Sequence, residues 1–149
     1  MRKANYDKFP STKLTGMLVQ GWDSIISMLK EKMDARKVLA VDLYTGVYEE
    51  EVLDAFSKEF SGRVMNVRDL MKPEKEIQAL TERFMTEDVL FGYVTNLKLE
   101  DYLDVDKVAA ARKQISEAKE TIVIIGTGAA VVAPQDAMAV SYTHLTLPT

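Results

Sequence analysis

Residues 38–56 read VLAVDLYTGVYEEEVLDAF. Val38 to Val41 are apolar at consecutive positions, so both sides of the pleat are apolar, the pattern of a strand buried on both faces of a parallel sheet. The turn Thr45–Tyr48, built around Gly46, then hands the chain to a different period. Val52, Leu53, Phe56 and Phe60 fall on one helical stripe, with Gly62 as its natural stop. A strand, a turn and an amphipathic helix in that order form the opening half of a strand–helix–strand unit.

The same alternation extends outward in both directions. Upstream, Trp22, Ile25, Ile26, Leu29 and Met33 recur at helical spacing and predict a helix from Gly21 to about Arg36. Residues 1–20 show no clean period and read as an arm. Downstream, RVMNV is a short strand, and Pro73 opens a helix with Ile77, Leu80 and Phe84 facing inward. VLFGYVTNLKLEDYL reads as a long loop. Asp104 is placed to cap a helix with Val108, Ala111 and Ile115 on one face. TIVIIG, ended by Gly126, is the strongest strand of the chain, and AAVV and AMA read as two further short strands around a turn at APQD. The expected fold is α/β: an incomplete three-layer domain with a mainly parallel sheet, occupying residues 1–139.

Composition narrows the function classes. The 149 residues are 47% hydrophobic and 28% charged, with a net charge of −4, which gives nucleic acid or an anionic membrane no electrostatic hold. The longest apolar stretch, Thr121–Ala133, is too short to span a bilayer. The opening residues carry no apolar run of a secretory signal. With no cysteine, disulfides and thiolate metal sites are excluded. A cytoplasmic protein is expected.

The last ten residues, VSYTHLTLPT, are a special case. Val140–Thr149 read back into DNA in one frame as the transposase adapter of shotgun sequencing libraries, so residues 140–149 are expected to be a non-native tail. His144, the only histidine, lies in it. Excluding the tail leaves 1–139 without a histidine to activate a serine or threonine or to join a zinc site.

Two glycine turns are the candidate ligand sites. A P-loop uses G-x-x-x-x-G-K-[ST], whose amides wrap phosphate while the lysine neutralises it. The turn after Val38–Leu43 has Gly46 alone and no lysine, and Glu49, Glu50 and Glu51 crowd the helix start. Acidic side chains there complement the helix dipole but repel a phosphate, and no cation in the turn offsets them. Gly126 and Gly128, in GTGAA, follow a buried strand as a dinucleotide fingerprint does, and are the weak candidates for cofactor binding. Pro134 arrives before a helix is expected to develop, so a tight turn between strands is the favoured reading. Asp101, Asp104 and Asp106 lack the glycine and terminal glutamate of a calcium loop. No catalytic residue and no metal ligand is assigned.

YDKFPSTKL (6–14), QGWDSI (20–25), VDLYTGVYEEEVL (41–53), VLFGYVT (89–95) and IVIIGTGAAVVAPQDAMA (122–139) together resemble the N-terminal region of long bacterial class I mannose-6-phosphate isomerase-like proteins. The resemblance implies a domain similar to P-loop kinases but without a functional P-loop, preceding a cupin domain absent from this chain. It further implies a parent enzyme that interconverts mannose 6-phosphate and fructose 6-phosphate with a divalent metal such as zinc, held by the cupin domain. This chain would then be a non-catalytic fragment with a structural or regulatory role, partnered by that missing cupin domain. The alternative is a nucleotide-binding, kinase-like module using the amides near Gly126 and Gly128.

Overall fold

The computed structural model describes residues 9–11, 15–16, 18–33 and 38–141. Most of the arm, the end of the first predicted helix and residues 142–149, His144 included, lie outside the described residues.

Helix α1 (Trp22–Lys32) leads to β1 (Val38–Leu43), α2 (Glu49–Glu59) and β2 (Arg63–Asn66). A 3-10 turn (Val67–Leu70) and α3 (Glu74–Thr81) follow, and after a long loop come α4 (Val105–Glu117), β3 (Ile122–Gly126), α5 (Ala129–Val132) and β4 (Ala137–Ser141). The strands form one sheet in the order β2-β3-β1-β4, with every pairing parallel. Val38 faces Ile122 across the β1–β3 ladder, and Leu39 faces Ala137 across the β1–β4 ladder. The predicted α/β class and parallel sheet therefore hold.

The alternation of side chains along β1 and β3 explains the layers. Leu39, Val41, Val123 and Ile125 point to one face, where Ile26 of α1, Met33 just past its end, and Val52 and Phe56 of α2 cover them. Ala40, Ile122 and Ile124 point to the other, packed by Val67, Leu70, Val108, Ala111, Ala129 and Val132. Because both faces are covered, all of β3 is buried, and β1 is buried except at Asp42. That is why these two strands read as continuous apolar runs. Among the described residues no helix is long and apolar enough to cross a membrane.

Two expectations need correction. AAVV is not a strand: Ala129–Val132 form the single turn of α5. Nor does Pro134 prevent that helix, because its ends are held from a distance. The Asp42 carboxylate accepts hydrogen bonds from the Gly128 and Ala130 amides. At the other end Arg112 of α4 donates to the carbonyls of Val132 (2.6 Å) and Val131 (3.1 Å). AMA is a strand as expected, and β4 runs on through Val140 and Ser141, the first two residues of the adapter-like stretch. Its start is pinned to β1 in both directions: Val38 N–H donates to the Asp136 carboxylate, and Asp136 N–H donates to the Val38 carbonyl.

Asp104 caps α4 as its position predicts, accepting from the amides of Asp106 and Lys107 at 3.0 and 3.1 Å. Asp104→Ala should cost about 1 kcal/mol, readable as a lower urea midpoint with an unchanged slope. Gly126 matters more. Its φ is +138°, and a Cβ there would stand 2.8 Å from Cβ of buried Val67. Gly126→Ala should destabilise the fold by roughly 2 kcal/mol or more; a melt indistinguishable from the parent would refute that packing.

Candidate functional site

The connections leaving β1 and β3 diverge. The turn after β1 enters α2 on one face of the sheet, and the turn after β3 enters α5 on the other. Since β1 and β3 are neighbours, their carboxyl ends border a topological switch point, the place where open α/β sheets bind ligands. The two glycine turns singled out in the sequence meet there.

Asp42 stands at the end of β1, where its carboxylate reaches across to the next turn. Its two oxygens accept from Gly128 N–H at 3.3 Å and Ala130 N–H at 3.1 Å. Thr127 closes the same gap in the reverse sense, donating its hydroxyl to the Leu43 carbonyl at 2.9 Å. Gly128 takes φ +83°, a left-handed conformation suited to glycine. Gly126 and Gly128 are thus brought to the switch point, but Gly126 packs on Val67 and the Gly128 amide is bonded within the protein.

At the other turn Gly46 adopts φ +95° and Val47 N–H bonds to the Tyr44 carbonyl. Glu49, Glu50 and Glu51 form the first turn of α2, as read. The expectation that no cation offsets them is wrong. Arg68, in the 3-10 turn after β2, forms an ion pair with Glu49 at 3.1 Å. Its backbone is fixed by the Asn66 side chain, which accepts from Arg68 N–H at 2.8 Å. The distance in sequence hid this partner, although an arginine just past a strand end was available as a signal. Glu51 is also engaged, accepting from the Trp22 indole N–H at 3.1 Å.

Val47, Tyr48, Glu49, Glu50 and Arg68 line a shallow groove of about 240 Å³ beside the crevice. Tyr48 among them is exposed. The Glu49 oxygen not bonded to Arg68 is buried and lacks a hydrogen-bond partner among the described residues. The groove offers a carboxylate already paired to an arginine and one phenol, which is poor equipment for a polyphosphate.

No group of three or more acidic, histidine or cysteine side chains among the described residues stands close enough to hold a metal ion. Asp101 and Asp104 serve backbone amides instead, Asp101 that of Lys98 and Asp104 those opening α4. The divalent metal implied by the resemblance therefore finds no donor set in the described part of this chain.

Comparison with known proteins adds a family and nothing finer. No curated protein and no solved structure matches the chain. One family model, described as Domain of unknown function (DUF8485), matches residues 21–147, a span that takes in the sheet, its covering helices and both glycine turns. The chain belongs to that family, Domain of unknown function (DUF8485).

Proposed function

We propose that this chain is a non-catalytic N-terminal module of a sugar-phosphate isomerase-like protein of the mannose-6-phosphate/fructose-6-phosphate type, with a structural or regulatory role in the cytoplasm. In this reading the chemistry belongs to a cupin domain outside this chain, which holds the divalent metal and the sugar phosphate. The observation that carries the non-catalytic part is the occupancy of the switch point by the protein's own carboxylates. Asp42 occupies the amides of Gly128 and Ala130, and Glu49 is paired with Arg68 at the start of α2. A phosphate entering either turn must displace an anion already bonded there, and it meets the carboxylate charge of exposed Glu50.

A second reading, a nucleotide-binding kinase-like module, has one observation in its favour: the crevice lies where α/β sheets bind ligands. The two readings separate in a thermal-shift experiment. A nucleotide at 100 times its dissociation constant adds about 2.7 kcal/mol of stability. We expect no shift with millimolar ATP or GTP and magnesium, and a clear upward shift would favour the kinase-like module. The uninterrupted gene tests the rest: a histidine-bearing, β-rich continuation past Ala139 is expected, and a stop codon or helical kinase lid refutes it.

Asp42 supplies a further discrimination. If its carboxylate is structural, Asp42→Ala strands the amides of Gly128 and Ala130 and should lower stability by about 1–3 kcal/mol. A Tm that stays level or rises would mean that the carboxylate is kept for a ligand.

A further inference from the structure

β4 is an edge strand. It pairs with β1 on one side, and among the described residues no strand pairs with its other side. Edge strands are commonly guarded against further pairing by charge or proline. Ala137–Ser141 carry neither, whereas the opposite edge, β2, begins with exposed Arg63.

The two faces of β4 are covered unequally. Ala137 and Ala139 turn toward α1 and α2 and pack against that core. Beside them Trp22, Ile25 and Leu29 of α1 border an open groove of about 200 Å³ that also reaches Val41 and Ala139. Met138 stands opposite Ala40 in the ladder and therefore on the other face. There α5 packs over β1 and β3, and Met138 is left 55% exposed. Val140, the next residue on that side, is exposed as well.

The crossovers already present determine what can cover it. The step from β1 to β2 moves toward one edge and uses α2, on the face of α1 and α2. The steps back toward the other edge, β2 to β3 and β3 to β4, use α4 and α5, on the opposite face. All three crossovers share one hand, as parallel strand–helix–strand units do. A further step outward, past β4, keeps that hand only with its helix on the face of α4 and α5. That is the face on which Met138 is exposed. Pairing between the β4 edges of two copies of this chain would satisfy the edge but leave that face bare. We propose that, in the parent protein of the preceding reading, the polypeptide after β4 forms a helix over Met138 and returns as a fifth strand. This strand runs parallel to β4, bonds to its outer edge and turns side chains into the groove beside Trp22 and Leu29. This rests on that reading only in requiring a chain that continues past Ala139.

The test compares amide hydrogen exchange in this chain and in the product of the uninterrupted gene. Outward amides of β4 should exchange at least about tenfold more slowly in the parent. Met138→Lys should leave exchange in β1 unchanged in this chain, where the side chain is more than half exposed. In the parent, where the new helix would bury the lysine, it should accelerate that exchange about tenfold or more. The roughly thirty residues after Ala139, the length of a strand–helix–strand unit, should read as an amphipathic helix followed by a β-branched run. If β4 is equally open in the parent and Met138→Lys is silent there, the proposal falls, and the isomerase reading still stands on a histidine-bearing, β-rich continuation. Protection and sensitivity in a parent without that continuation sustain the proposal and remove the isomerase reading. Equal protection in both proteins that fades on dilution assigns the edge to a second copy and overturns the proposal. A stop codon directly after Ala139 overturns both.

Discussion

A single carboxylate ties the two halves of the domain together. Asp42 is next to last in the strand that pairs on both sides, with β3 and with β4, and it bonds the amides that open α5. Through that contact the chain can leave β3, make one helical turn on the opposite face from α2 and return as β4. A polar group at the end of a central strand must find partners, since an unmet hydrogen bond in a partly buried place costs about 1–3 kcal/mol. Here the partners are amides that would otherwise be orphaned at a helix start. Each solves the other's problem.

The same arrangement shapes the functional reading. Open α/β sheets place ligands at the switch point because exposed helix amides and diverging turns make a polar crevice there. In this chain those features are present, but internal anions satisfy them, and Arg68 from the neighbouring strand neutralises Glu49. That surface ion pair contributes little stability, since Arg68 is two-thirds exposed. Its effect is on what can bind, because the cation most available to a phosphate is already engaged.

The long excursion follows a different logic. A domain that buries both faces of a small sheet has spent its best apolar residues on β1, β3 and the helices above and below them. Residues 72–102 add no buried side chain to that core, yet their tip carries Phe91, Tyr93 and a row of branched aliphatics held by local turns. Few contacts beyond the bonds at its base tie this segment to the sheet. It is the part of the molecule with surface to give to a partner.

Much of this was legible in residue order. The doubly apolar runs Val38–Val41 and Ile122–Ile125 announced buried parallel strands, the stripes of α1, α2 and α4 announced their helices, and Asp104 announced a cap, because each rests on neighbours within a few residues. What the order of residues could not carry was the set of contacts between distant residues. AAVV reads as a strand by its β-branched valines, and only the meeting of Asp42 at one end with Arg112 at the other makes it helical. Glu49 likewise looks uncompensated until β2 brings Arg68 alongside. Local periodicity settled the elements and their class, whereas the final state of the charges, and so the character of the crevice, was decided only when the sheet placed residues 42, 68, 112 and 128 against partners that the chain keeps far apart.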